Sequence, residues 1–396
     1  MIKVHLRTYL ISIFLVAALC MAASGKIIYV DDDAAGADDG TSWENAYVYL
    51  QDALADANSA EKPVEIRVAQ GIYKPDQGAN LTDGDREATF QLINNVVVKG
   101  GFAGIGELEP DVRHVESYLT ILSGDLNGDD VEVADPEDLW DEPTRAENSY
   151  HILTGNLTDE TAVLDGVIII GGNADGGWLA TASGAGGGMY NKQSSPKLSN
   201  CTFSGNSAYY GGGMYNVDGN PRLVNCSFDN NSAETYYEPG PGVAGAWGGE
   251  GGAICNKNSS PILDHCTFTE NTQRAMHNED SSPTLSYCIF IGNSSWYGGA
   301  IYNWNSKPNL TNCIFNNNRS FAKGGAFYIK GHSSATLLNC MFVGNRAGNN
   351  GGAVGSYGSI ATLINCTFTA NEAHNGKALE CSSYPGDGLS TLQLAN

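Results

Sequence analysis

Leu198-Ser-Asn-Cys201-Thr-Phe203-Ser-Gly-Asn206 and, 25 residues on, Leu223-Val-Asn-Cys226-Ser-Phe228-Asp-Asn-Asn231 share one pattern, Leu-x-x-Cys-x-Phe-x-x-Asn. Five more copies carry Cys266, Phe268 and Asn271; Cys288, Phe290 and Asn293; Cys313, Phe315 and Asn318; Cys340, Phe342 and Asn345; and Cys366, Phe368 and Asn371. Successive cysteines lie 25, 40, 22, 25, 27 and 26 residues apart, so one repeat carries an insertion of about fifteen residues. A second block follows: Gly187-Gly-Met-Tyr-Asn191, Gly212-Gly-Met-Tyr-Asn216, Gly252-Ala-Ile-Cys-Asn256, Gly299-Ala-Ile-Tyr-Asn303, Gly325-Ala-Phe-Tyr328 and Gly352-Ala-Val354.

Each block is a few β-prone residues alternating with period two, closed by Gly and Asn. No helical stretch of ordinary length separates them, which disfavours leucine-rich and βαβ architectures. The reading is an all-β chain: a right-handed parallel β-helix solenoid with an N-terminal capping helix. Stacking the coils in register sets equivalent residues about 4.8 Å apart. Leu, Cys, Phe and the Met/Ile/Val positions then form internal rows. The repeated Asn is expected at a turn, where it tolerates left-handed backbone and links coils through its amide. Parallel stacking keeps the row cysteines too far apart for disulfides, so they are expected as buried free thiols. Cys255 and Cys381 lie off the row.

Upstream, Ile27–Val30, Val64–Ala69, Phe90–Val98, Thr120–Ser123, His151–Leu153 and Ala162–Ile170 read as strands of less regular coils. Ile168-Ile-Ile170-Gly-Gly-Asn173 reads as a worn repeat. Thr41-Ser-Trp-Glu44 has the form of a capping box opening an amphipathic helix through Trp43, Ala46, Leu50, Ala53, Leu54 and Ala57. Lys3 and Arg7, the apolar run Tyr9–Ala18 and small residues to Gly25 have the form of a signal peptide. The expected layout is a signal peptide at 1–25, a cap with irregular coils at 26–185 and regular coils at 186–396. The expected location is secreted or cell surface, with outer-membrane association open and no membrane span after signal removal.

The 396 residues carry a formal net charge of −23. Residues 8–185 hold 32 Asp and Glu against 8 Lys and Arg; residues 186–396 hold 12 against 11. This acidity disfavours nucleic acid and anionic lipid as partners.

The Phe-x-x-Asn and Gly-Gly-Ala-Ile motifs resemble the repeats of polymorphic outer-membrane proteins, β-helical surface proteins implicated in adhesion. Tyr29-Val-Asp-Asp-Asp33, Gly40-Thr-Ser-Trp43, Val68-Ala-Gln-Gly-Ile-Tyr-Lys74, Gly100-Gly-Phe-Ala-Gly104 and Thr120-Ile-Leu-Ser-Gly-Asp-Leu-Asn-Gly128 resemble the start of secreted bacterial pectin-lyase-like proteins. The resemblance implies the β-helix. It leaves activity open, since this scaffold carries lyases, hydrolases and adhesins. It also implies, for a lyase, an acidic calcium site with a Lys or Arg base.

Asp125-Leu-Asn-Gly-Asp129 offers Asp125, Asn127 and Asp129 at alternate positions, like the start of a calcium loop, although Asp130 and Pro136 stand where Gly and Glu belong. Arg319, Arg346, Lys323, Lys330 and His332 could grip an acidic glycan; the plainer expectation is an Arg346–Glu372 surface pair. The histidines show no zinc spacing, and neither a nucleophile elbow nor a phosphate loop occurs. The leading binding candidate is an outward row of Tyr190, Tyr215, Cys255, His277, Tyr302 and Tyr328, with Trp296 and Tyr297 beside it: exposed rings spaced along a rod suit sugar faces, while the plainer expectation is that the stacked rings only stabilise the sheet. The insertion Tyr236–Gly249 would form a wall. The first expectation is therefore a surface or matrix protein that binds polysaccharide or another cell-surface component. The second is a lyase or hydrolase of acidic glycans.

Overall fold

The computed structural model describes residues 25–177, 182–237, 246–247, 249–383 and 390–395. The fold is a right-handed parallel β-helix whose coils contribute one strand to each of three long parallel sheets. A twelve-stranded Leu sheet runs from Lys26–Val30 to Thr391–Ala395 and holds Leu198, Leu223 and Leu263 side by side. A ten-stranded Phe sheet runs from Gly71–Tyr73 to Thr367–Thr369. A ten-stranded Tyr sheet runs from Phe90–Gln91 to Leu379–Ser382.

Register is strict. Phe203, Phe228, Phe268, Phe290, Phe315, Phe342 and Phe368 pair in sequence. Their rings stack at 4.6–5.1 Å with interplanar angles of 3–8°. Near-parallel rings at these separations fall in the range that stacked aromatic pairs favour; the backbone repeat sets the spacing. Cys201, Cys226, Cys266, Cys288, Cys313 and Cys340 are buried free thiols, and Cys366 is half-buried at the last regular coil.

The Asn row forms a continuous ladder. Asn293 Oδ1 accepts from the Asn271 backbone N–H at 3.0 Å and from Asn271 Nδ2 at 2.9 Å. Its own Nδ2 donates to the Phe268 carbonyl at 3.0 Å and to Asn318 Oδ1 at 2.9 Å. The same pattern links Asn206, Asn231, Asn271, Asn293, Asn318, Asn345 and Asn371. A second ladder joins Asn191, Asn216, Asn256, Asn278 and Asn303 beneath the Tyr sheet.

The left-handed backbone does not fall on the ladder Asn. It falls one residue earlier, at Gly205, Asn230, Glu270, Gly292, Asn317, Gly344 and Ala370, and before each Cys, at Asn200, Asn225, His265, Tyr287, Asn312, Asn339 and Asn365. The ladder side chain must enter the core, so its neighbour takes the corner. The worn repeat is also displaced by one: Ile169, not Ile170, pairs with Phe203, and the Gly172 N–H donates to Asn206 Oδ1. Two expected strands are broken by corners, Phe90–Val98 at Asn95 and Ala162–Ile170 at Gly166.

The α-helix, α1, spans Leu50–Ser59 rather than starting at Thr41. Asp39 Oδ1 takes both the N–H and hydroxyl of Thr41, and Tyr47 bridges Val30 in parallel, so residues 41–49 stay extended or bent. Trp43 packs instead with Tyr29 and Phe102. Leu50, Ala53, Leu54 and Ala57 of α1 close the first coil over Ile28, Val64 and Ile66.

Asn293→Ala would orphan the Asn271 N–H, the Asn271 Nδ2 and the Phe268 carbonyl. Each buried unmet group costs about 1–3 kcal/mol, so denaturant unfolding should show a loss of ~3 kcal/mol or more. Asn317→Gly, at an exposed corner, should stay within about 1 kcal/mol of the parent.

Candidate functional site

Strands of the Tyr sheet alternate in and out. In Met214–Val217, Met214 and Asn216 face the core, and Tyr215 and Val217 face outward. Register therefore builds two outer rows: Tyr190, Tyr215, Cys255, His277, Tyr302 and Tyr328; and Lys192, Val217, Lys257, Glu279, Trp304, Lys330 and Tyr357.

The first row was expected to lie open, and it does not. Tyr215, Cys255, His277 and Tyr328 are buried, and Tyr190 and Tyr302 are half-buried. The chain entering each strand folds over the row: Tyr210 bridges Ala185 and Glu250, while Tyr297 pairs with Lys323, which bridges Asn350. These rings also stack along the rod, Tyr190 on Tyr215 at 5.8 Å, His277 on Tyr302 at 5.1 Å and Tyr302 near Tyr328 at 5.7 Å. The row is thus covered along much of its length, and forms the floor of an open groove at Tyr302 and Tyr328. Trp296 leaves it, 60 % exposed and packed near Phe321 at 6.1 Å, because alternation sends it away from Tyr297.

Tyr297, Tyr302, Tyr328 and Tyr357 join Lys323 and Lys330 around a cavity of about 260 Å³. Tyr297 lies 5.4 Å from Tyr328. Both ammonium groups sit over Tyr357, Lys323 at 5.3 Å and Lys330 at 6.0 Å. Burial raises the Tyr302 and Tyr328 phenols above their ordinary range, so both remain neutral hydroxyls. Two basic candidates, Lys323 and Lys330, thus converge. Arg319 instead lies over Phe321 at 4.9 Å. Arg346 and Glu372 meet through a backbone bridge; their side chains form no ion pair.

Next along the row stands a polar cluster that motif reading missed. Glu250, His277 and Glu279 offer ligand atoms all within 4.8 Å of one another. Arg274 Nη1 donates to His277 Nδ1 at 2.8 Å, and its guanidinium lies 4.8 Å from the Tyr302 ring centre. Lys257 Nζ is 3.2 Å from Glu279 Oε2. Burial raises the Glu250 carboxyl, against the pull of Arg274 and Lys257. Burial, then the Arg274 charge, holds His277 well below its ordinary range. The signal was present in the register, since Cys255 and His277 interrupt a tyrosine row. The approach of Glu250 required coordinates, because it follows the insertion.

The calcium candidates do not assemble as expected. Asp125, Asp130 and Glu147 converge, while Asn127 and Asp129 are exposed. Asp125 carboxylate oxygens accept from the N–H groups of Gly128 at 2.5 Å, Asp129 at 3.1 Å and Asp130 at 3.2 Å, organising the loop. Burial pushes Asp130 up to about 6, against Asn148 and a buried Arg145 3.5 Å away. In the insertion, Tyr236–Tyr237 pairs antiparallel with Ala246–Trp247. Residues 238–245 and 248 lie outside the described residues, and the expected wall falls largely on them.

Residues 165–342 match the family model described as "Right handed beta helix region". No curated protein sequence matches this chain at a significant level. Among solved structures, the chain is similar to a pectin methylesterase in complex with a hexasaccharide, at 10 % identity over 94 % of this chain and 93 % of that one, with a TM-score of 0.38. A pectate lyase, Pel9A, matches at 12 % identity over 93 % and 79 %, TM-score 0.35. An endo-xylogalacturonan hydrolase from Aspergillus tubingensis matches at 10 % identity over 92 % and 98 %, TM-score 0.31. Likeness at this level assigns no activity to this chain.

His151 ends the aromatic row, 5.3 Å from Tyr190, with Nδ1 donating to the Gly186 carbonyl at 3.0 Å. Burial lowers it to about 4. A depressed histidine favours folding above the unfolded value near 6.5 and loses that contribution as pH falls toward about 4. His151→Gln should therefore remove up to ~3 kcal/mol of the stability change between pH 7 and 4, at about 1.4 kcal/mol per pKa unit. Paired denaturant titrations at several pH values check this.

Proposed function

We propose that this chain is an exported surface or matrix protein that binds acidic polysaccharide along the groove on its Tyr sheet. One observation carries the reading: four tyrosines and two lysines close around a single open cavity. Aromatic rings provide flat apolar area for the C–H face of a pyranose, while lysines provide point charges for its carboxylate. Binding sites of this kind combine apolar walls with a few placed polar groups. The two neutral phenols add hydroxyl donors and acceptors at the floor.

The chain's acidity does not oppose this. Its acidic excess lies within residues 8–185, whereas the cavity belongs to the nearly balanced remainder. Four register steps separate Tyr302 from Tyr190, the first row residue after the acidic stretch, roughly 19 Å at the strand spacing, against a Debye length of about 8 Å at physiological salt. Contact charges therefore dominate at the cavity. The stretch at residues 1–25 supports export, and the repeats support the surface role.

Affinity electrophoresis through polygalacturonate tests the reading. The parent should be retarded there and not in a neutral glucan, and retardation should weaken as salt is raised. The double variant K323A/K330A should bind at least about tenfold more weakly, the equivalent of ~1.4 kcal/mol. Y357A, which removes a wall without emptying the buried floor, should weaken binding in the same direction. Equal retardation of parent and double variant would remove the cavity as the binding site.

A further inference from the structure

Ring stacking accounts for a row of tyrosines along a sheet. It accounts for the His277 ring on Tyr302 as well, but not for Cys255 or for the charged groups gathered on these two coils. Around those two residues the fold places Glu250, Arg274, Lys257 and Glu279. Burying charges is costly unless each is paired, so packing alone would have retained tyrosine.

Arg274 adds a second anomaly. Every neighbouring coil has glycine at its position: Gly187, Gly212, Gly252, Gly299, Gly325 and Gly352. Arg274 adopts φ 70°, a left-handed conformation that long side chains rarely take, while 7 % exposed. Here it brings the guanidinium to His277 Nδ1 at 2.8 Å. A guanidinium can only donate, so the neutral imidazole carries its proton on Nε2. The His277 side chain is 3 % exposed, and Nε2 has no hydrogen-bond partner. It lies 3.6 Å from Glu250 Oε2, aimed into the space between the carboxylates.

The two carboxyls differ in surroundings. Glu250 faces a neutral imidazole in a partly buried niche and is shifted toward its protonated form, mainly by burial. Glu279 has the Lys257 ammonium at 3.2 Å, whereas no lysine stands against Glu250 at that distance among the described residues. Facing oxygens lie within 4.8 Å. Retaining glycosidases place their carboxyl pair about 5–5.5 Å apart, whereas inverting enzymes leave about 6.5–9.5 Å for a water.

The geometry points to a catalytic pair: Glu250 as acid/base and Glu279 as nucleophile cleave a glycosidic bond of a polysaccharide held in the groove, with retention of anomeric configuration. The inference rests on the saccharide-binding reading of the same groove. Glu279 and Tyr357 belong to the same outer row three coils apart, ~14 Å, so a chain bound along the rod spans both. In the first step a Glu279 oxygen bonds to the anomeric carbon, the glycosidic C–O bond breaks, and the Glu250 proton passes to the departing oxygen. In the second, water attacks that carbon, Glu250 takes its proton, and the Glu279–carbon bond breaks. Water is the sole co-reactant, and both carboxyls return to their starting states.

The test uses the full chain with E250Q and E279Q, on polygalacturonate and a panel of other uronate and neutral polymers. Reducing ends, anomeric configuration of the first product by proton NMR, and retardation in the same polymers are read together. The expected result is release of reducing ends by the parent, a loss of about 100- to 10,000-fold in each variant, retained retardation and a native-like far-ultraviolet circular dichroism spectrum in both variants, and a retained anomer. An inverted anomer, unsaturated ends, undiminished release by E250Q, or release abolished by chelator would each overturn the assignment. Retardation without release on every polymer would overturn the catalytic pair and leave the binding reading standing. Absence of retardation would bring down the binding reading, and this inference with it.

Discussion

A single side-chain amide at one corner of each coil fixes the register of the molecule. The Asn oxygen takes a backbone N–H and a side-chain N–H from the coil before it, and its nitrogen returns a bond to that coil's Phe carbonyl. A corner that turns a buried chain leaves backbone groups without ladder partners, and unmet buried groups are costly. The amide meets two of them, takes the neighbouring side-chain N–H as well, and passes one donor onward. A shift of one residue would send every such amide to solvent and put its neighbours inside. The Phe stack and the Cys row are consequences of that constraint, as is the near-zero exposure of both up to Cys340 and Phe342.

The same constraint fixes the outside. Because Met214, Ile254, Met276 and Ile301 must face inward, Tyr215, Cys255, His277 and Tyr302 are held in one outer line. A solenoid places any residue relative to another by coil number and position in the strand. Departures from the repeat are therefore informative. Cys255 and His277 replace tyrosine, Arg274 replaces glycine, and Glu250 follows the one long insertion. All four changes meet on two adjacent coils.

Much of this was legible in the sequence. The spacing of Cys201, Cys226 and their counterparts predicts coils, and the period-two pattern predicts which side chains enter. Errors arose where a rule about local chemistry competed with tertiary pairing. Thr41 has the form of a helix cap, but Asp39 engages it and Tyr47 pairs with Val30. Asn tolerates left-handed backbone, yet the ladder needs its side chain inside, and the residue before it turns. The Tyr row does point outward. Its burial was not legible, because the covering segment is recognisable only when Tyr210, Glu250 and Tyr297 are seen to cross it. Asp125 read as a ligand and instead organises its own loop. A sequence reports a ladder by repetition, whereas a cluster formed across coils leaves only scattered exceptions.

The ladder account is tested most directly by mapping thiol reactivity without reductant. Alkylation of the folded protein followed by peptide mass spectrometry should label Cys381 readily and Cys366 slowly. Cys201, Cys226, Cys255, Cys266, Cys288, Cys313 and Cys340 should react only after denaturation, and then completely. Rapid labelling of the interior cysteines in the folded state, or a need for reductant before they react, would contradict in-register stacking and the groove built upon it.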